Sequence, residues 1–212
     1  MSLVQTGPSE TLLESGGHVK GVAVAIVRDN KDNSGLARVK VSYPWHSRPQ
    51  QSYWARVAMP MAGKGRGVYF LPEVEDEVLV AFERGDMRFP YIVGSLWNGK
   101  EQSPVNNADG KNDVRVIHTR DHHKLTFNDG SDSLAQLELK DGKKLTLKQD
   151  EVRLTDENGN SFAIQSTSGA ITIDAKSSVK ITAPSISIEA TGMLTVKAGA
   201  TLSLQGALVN IN

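Results

Sequence analysis

No cysteine occurs among the 212 residues. Disulfides and thiolate metal sites are therefore excluded, and nothing points to an oxidising compartment. An excess of charge is missing too. Lys and Arg number 24, Asp and Glu 24, and the balance is 12 against 12 in residues 1–110 and again in 111–212. Without a basic footprint, nucleic acid is not expected as a partner. The longest apolar run, Gly21–Val27, is far too short to span a bilayer. The first ten residues lack a basic n-region and an apolar h-region, so no signal peptide is expected. Helical periodicity is nearly absent, with Glu10–Ser15 the one stretch that suggests a helical turn. Aromatics are scarce, and ten of the twelve lie at or before Trp97. The other two are Phe127 and Phe162.

That uneven distribution divides the chain. Residues 165–212 carry only five charges, Asp174, Lys176, Lys180, Glu189 and Lys197. Ser, Thr, Ala, Gly and single aliphatics fill the rest. The boundary is expected in Gly99–Asn112, which is rich in Pro, Asn, Asp and Gly and has no apolar period. The first half reads as five short strands: Val19–Arg28, Ala37–Tyr43, Tyr53–Met59, Val78–Phe82 and Tyr91–Trp97. In the second of these, Val39, Val41 and Tyr43 share one face. Five strands over about 80 residues, separated by turn signals, predict a small barrel or sandwich.

The second half is repetitive. Apolar residues spaced i, i+2 recur at Ile171/Ile173, Val179/Ile181, Ile186/Ile188, Leu194/Val196, Leu202/Leu204 and Val209/Ile211. Each pair faces one way and a polar residue between them faces the other. The steps are 8, 7, 8, 8 and 7 residues, a solenoid-like period. Earlier pairs, Leu125/Phe127, Leu137/Leu139, Leu145/Leu147, Val152/Leu154 and Phe162/Ile164, are less regular. Two readings fit these locally. Reflection about Gly142 sets Leu139 opposite Leu145 and Leu137 opposite Leu147, as in a hairpin; translation by eight fits equally. For 165–212 the spacers lack the Asn-Gly and Asp-Gly of tight hairpins, which favours stacked repeats. Two aliphatics per repeat bury too little to offset the ordering of eight residues. The pattern thus predicts several chains wound about one axis, covering every apolar pair and pairing every edge.

Other chemistry is weakly supported. Met61–Gly67, MAGKGRG, is not a phosphate loop, because Gly65 follows Lys64 where Ser or Thr is required; a flexible barrel loop is expected. His118, His122 and His123 cluster with Asp121 and Asp129, and polar surface is the expectation over metal ligation. His18 and His46 have no evident partner. Glu73, Glu75, Asp76 and Glu77 read as a solvated loop rather than a calcium site or acid pair. No G-x-S-x-G nucleophile motif occurs. Trp45, Trp54, Tyr53 and Trp97 leave open an OB-type oligosaccharide- or nucleic-acid-binding module on a β-solenoid stalk. The neutral charge balance opposes it. A polysaccharide-cleaving β-helix would need a carboxylate pair, absent from the apolar face of 165–212.

Val39–Lys100 carries a further signal. Its pieces are Tyr43-Pro44-Trp45, Trp54-Ala55-Arg56-Val57, Ala62-Gly63-Lys64-Gly65-Arg66-Gly67, Phe70-Leu71-Pro72, Asp76-Glu77-Val78, Phe82-Glu83-Arg84-Gly85-Asp86, Pro90 and Gly94-Ser95-Leu96-Trp97-Asn98-Gly99. This stretch closely resembles the OB-fold domain of contractile-tail central spikes: phage baseplate assembly protein V, type VI secretion valine–glycine-repeat proteins and the spikes of extracellular contractile injection particles. The repeat resembles that family's trimeric β-helical needle. The resemblance implies an all-β fold, an N-terminal OB barrel followed by an intertwined trimeric β-helix. The expected organisation is a hub-docking segment at 1–17, the OB domain at 18–99, a neck at 100–117 and the needle at 118–212. Only about 17 residues precede the barrel, which favours a hub on a separate chain. No lysozyme-like insertion separates barrel and needle.

The implied role is structural. Three chains would form a membrane-piercing needle beneath a hub protein, in transient contact with the target membrane. Assembly would occur in the cytoplasm, within a phage tail or phage-tail-like baseplate. The expected trimer core is Ile171, Ile173, Val179, Ile181, Ile186, Ile188, Leu194, Val196, Leu202 and Leu204. Some relatives close the needle with a His-x-His element binding iron. No histidine follows His123, so the resemblance implies instead a separate PAAR-repeat-type tip protein docked on Val209, Asn210, Ile211 and Asn212. No catalytic residue, cofactor or metal ligand is expected.

Overall fold

The computed structural model describes residues 18–46 and 51–211. The reading of a turn at Glu10–Ser15 and the docking role of 1–17 fall outside them, as does Asn212. Every described element is a β-strand except a 3₁₀ turn at Glu83–Gly85. The chain divides after Ala108 into two compact units.

The first unit contains β1 (Val22–Asp29), β2 (Lys40–Ser42), β3 (Arg56–Val57), β4 (Ala62–Gly63), β5 (Arg66–Gly67), β6 (Glu77–Phe82) and β7 (Pro90–Ser95). Five of them form one sheet in the order β2-β1-β6-β7-β3, with β3 parallel to β7. The sheet closes on itself where Val39 and Ala55 exchange backbone hydrogen bonds of 3.0 and 2.7 Å. Alternation builds the interior: along β6, Val78, Val80 and Phe82 are buried while Glu77, Leu79 and Ala81 are half-buried. Ala25 and Val27 from β1, together with Val19, Val39, Val41, Tyr43, Ala55 and Ile92, complete the core.

Val39, Val41 and Tyr43 share the buried face as expected. The strand expected over Tyr53–Met59 shrinks to Arg56–Val57. Its flanks are held instead by the paired Val39–Ala55 bonds on one side and on the other by Ala58 N–H donating to the Ile92 carbonyl, 2.8 Å. The glycine-rich stretch read as a flexible loop is a hairpin, β4 pairing β5. His18, read as unpartnered, places Nδ1 2.8 Å from the Arg84 carbonyl.

The second unit is an antiparallel meander of β8 (Val114–His118), β9 (Lys124–Asn128), β10 (Leu134–Glu138), β11 (Lys144–Lys148), β12 (Glu151–Thr155), β13 (Ser161–Gln165) and β14 (Ala170–Asp174). β8 begins inside the stretch read as a neck. Hairpins, rather than translated repeats, thus organise residues 114–174. This reaches into the region read as stacked, since β13 and β14 form a hairpin. The hairpin about Asp141 sets Leu137 opposite Leu145, so the centre lies one residue before Gly142. Asp-Gly and Asn-Gly supply three of the six turns, with Gly142 at φ +92 and Gly159 at φ +85, a region open to glycine at little steric cost.

Residues 175–211 form no strand. No backbone–backbone hydrogen bond joins any of residues 177–211 to another described residue.

Candidate functional site

Register places the meander's apolar residues in two rows on one face. One row runs Ile117, Leu125, Leu137, Leu145, Leu154, Phe162, Ile173. The other includes Phe127, Ala135, Leu147, Val152, Ile164 and Ile171. Among the described residues no second layer covers them: Leu137, Leu147 and Leu154 are exposed, Leu154 by 53%. The opposite face is polar and internally satisfied. Thr146 Oγ1 donates to Gln136 Oε1 at 3.3 Å, and Arg153 and Gln165 both donate to Glu151 Oε1. Ala163, in the middle of that face, is buried. The apolar face is therefore the one that lacks a partner. Six strand steps at about 4.8 Å give the rows a length of roughly 29 Å.

Of the residues read as an oligomer core, Ile171 and Ile173 lie in these rows, opposite Ile164 and Phe162. Val179, Ile181, Ile186, Ile188, Leu194, Val196, Leu202 and Leu204 lie in the unpaired segment. All ten are 53–68% exposed in the single chain. The structure does not bring the eight together within one copy. Val209 and Ile211, read as tip-docking residues, are exposed as well, with Asn210 between them.

The remaining candidates are engaged locally. Lys64 sits in the β4–β5 turn, with no helix after it to cradle phosphate. The His118 and His122 rings lie 5.6 Å apart. His123 Nε2 is 3.7 Å from Asp121, which also takes Lys140 Nζ at 2.6 Å, while Asp129 pairs with Arg115. Among the described residues no three His, Cys, Asp or Glu side chains are placed to hold one metal ion. Glu75 is tied to Arg28. Trp45 donates Nε1–H to the Val24 carbonyl at 3.2 Å and packs on Tyr43. Trp54 lies beneath the Arg38 and Lys40 cations, at 5.6 and 4.8 Å. Two of the four aromatics that could stack on a base or sugar are thus occupied by the barrel itself.

Comparison with known proteins adds the family. Residues 23–97 match the type VI secretion system/phage-baseplate injector OB domain. The barrel is thus similar to the injector OB domain of type VI secretion systems and phage baseplates. Over 102 residues the chain is 35% identical to the type VI secretion system spike protein VgrG3 of Vibrio cholerae, covering 46% of this chain and 10% of that protein. It is 37% identical over 94 residues to the spike protein VgrG1a of Pseudomonas aeruginosa, covering 41% of this chain and 15% of the relative. The Vibrio cholerae actin cross-linking toxin VgrG1 is 31% identical over 96 residues, 9% of its length. The matched segment thus spans a small fraction of each relative. Among the described residues no helix is long and apolar enough to cross a membrane.

Proposed function

We propose that the chain is a structural central-spike subunit of a contractile injection machine, three copies of which form a needle beneath a hub. The observation that carries this is the segment 177–211, whose regularly spaced aliphatics stay exposed and whose backbone pairs with no other described residue. An extended segment of this kind gains order only from other chains. Three copies wound together would pair the free N–H and C=O groups and cover the apolar residues at once. The two apolar rows of the meander would face the same axis, leaving the satisfied polar face to water. The product is a rod with a dry aliphatic interior and a Ser/Thr-rich exterior. It would act mechanically, pushed through a target envelope by sheath contraction after assembly in the cytoplasm.

The hub is read as docking at the barrel end. The tip is read as carrying a separate protein on Val209–Ile211, gaining affinity from apolar burial and from strand pairing with open backbone. Sedimentation of the purified chain tests the reading. Three copies of 22.9 kDa give about 69 kDa, stable on dilution and resistant to detergent without heating. A folded monomer of 22.9 kDa would sink the proposal.

A further inference from the structure

The β4–β5 hairpin is an arm that its own barrel does not use. It forms a two-stranded sheet separate from the barrel sheet. From Pro60 to Phe70 every residue is exposed except Val68, which is half-buried. The limbs touch closely: Val68 N–H donates to the Met61 carbonyl at 3.0 Å, and a Cβ on Gly67 would stand 2.7 Å from that oxygen. A built arm that leaves all but Val68 exposed among the described residues costs order with little return. It carries Met61, Tyr69 and Phe70, all more than half exposed. It also carries two cations, Lys64 and Arg66, which pair with no carboxylate among the described residues.

The same barrel presents the matching surface. Pairing of β1, β6 and β7 sets Val24 beside Leu79 and Leu79 beside Gly94 on the outer face. Val22, Val24 and Val93 are exposed there. At the Glu77 end of β6 this apolar strip meets a pocket of about 320 Å³ lined by Asp76, Glu77, Trp97 and Glu101. No Lys or Arg among the described residues pairs with these three carboxylates. Glu77 receives the Asn98 amide at 3.2 Å and Asp76 the Glu73 N–H at 2.8 Å. Trp97, 69% exposed, adds an aromatic face suited to a cation.

We infer that the arm of each copy docks on the neighbouring copy's barrel, its aromatics on the β1–β6–β7 strip and its Lys64/Arg66 tip in the Asp76–Glu77–Trp97–Glu101 pocket. This rests on the three-copy reading above and adds a contact to it, outside the needle. Two features select a second copy as occupant. The arm runs from apolar residues to a cationic tip and the barrel surface from an apolar strip to carboxylates, so the two orders match, and both halves belong to a chain whose net charge is zero. A contact between different patches of identical subunits also closes into a ring when the rotation is one third of a turn.

The absence of cysteine makes the test direct. A chain carrying Lys64→Cys and Glu101→Cys, treated with a short bis-maleimide, should run as a covalent trimer on a denaturing gel. Each single variant should yield no covalent trimer. Adding Arg66→Glu to the double-cysteine chain should lower the yield about tenfold, and Glu77→Lys should then restore it. A 69 kDa particle whose double-cysteine chains stay separate would overturn the arm contact while leaving the needle intact. So would arms captured by residues 1–17 or by anionic vesicles instead. A protein that sediments as a monomer would remove the three-copy reading, and this contact with it.

Discussion

Thr172 and Ile173 are neighbours in β14, and the single chain exposes both. Their side chains leave opposite faces, Thr172 beside Ala163 and Ile173 beside Phe162. In an isolated chain, Asp at either position should change stability by no more than about 0.5 kcal/mol. In the proposed assembly the two differ sharply. Ile173→Asp forfeits about 1.5–3 kcal/mol of apolar burial. It also buries a carboxyl whose pKa must rise by up to 3–5 units to stay neutral, about 4–7 kcal/mol. The sum is roughly 5–10 kcal/mol per copy, and threefold symmetry brings it to about 15–30 per particle, beyond the whole stability of an ordinary domain. Thermal melting and sedimentation at micromolar concentration should show Thr172→Asp assembled and near wild type, and Ile173→Asp dissociated. Ser187→Asp and Ile188→Asp should repeat the contrast in the unpaired segment. Equal sensitivity within either pair would refute the assignment of faces, because a one-residue slip exchanges them.

Within the barrel, the Tyr43 hydroxyl is buried with no hydrogen-bond partner. The Ser52 hydroxyl, which draws its ionisation slightly downward, is committed to the Val41 N–H and the Tyr53 carbonyl. Tyr43→Phe should therefore be neutral or stabilising by about 1 kcal/mol in denaturant melts. Burial pushes the Tyr43 phenol up to about 12. The unfolded phenol thus ionises first, and stability that is full below pH 10 should decline as pH rises towards 12, a slope that Tyr43→Phe removes. Gly67→Ala should force the arm's limbs apart, read as lost amide-exchange protection at Val68 without loss of the barrel core. Ile211→Lys should abolish capture of a tip protein while leaving the particle's sedimentation unchanged; loss of the particle itself would mean that Ile211 belongs to the core instead.

The barrel was legible where alternation is strict. Val78, Val80 and Phe82 announce one face of β6, and Val39, Val41 and Tyr43 the closing strand. The arm was not legible, because Ala62–Gly67 has no alternating pattern. What pairs it is the close approach that Gly67 permits to Met61, a contact between chain segments rather than a propensity. The division of the second half was only partly legible. Apolar pairs spaced i, i+2 look the same under reflection and translation, so they fix the face but not the topology. Turn chemistry decides the topology. Asp-Gly at 129–130 and 141–142 and Asn-Gly at 158–159 fall between paired strands. Gly169, at φ +69 with its N–H on the Gln165 carbonyl, closes the last hairpin without an Asn or Asp before it. Nothing in Ser166–Gly169 resembles the earlier signals, which is why β14 reads as part of the stacked repeat. The apolar pairs of the later segment were legible as a pattern, whereas the partners they would meet in the proposed assembly lie in other chains and leave no mark on one sequence.

The same chain therefore contains three regimes of self-sufficiency, and their order has a physical consequence. The barrel closes its sheet and buries its inner-face aliphatics alone. The meander satisfies its backbone alone but leaves one face bare. Residues 177–211 satisfy neither. Requirements for other copies thus rise from the N-terminal to the C-terminal end. Edge strands fit this order: β14 ends the meander with one side of its backbone unpaired, which in the proposed assembly is where pairing passes from within a chain to between chains. On the three-copy reading, folding of the later segment then depends on chains already brought together upstream. In the proposed assembly, barrels and the apolar faces of the meanders supply that local concentration, turning association of the thin repeats into an effectively intramolecular step. A repeat with only two aliphatics per turn is then sufficient, because it adds layers to an existing nucleus instead of creating one.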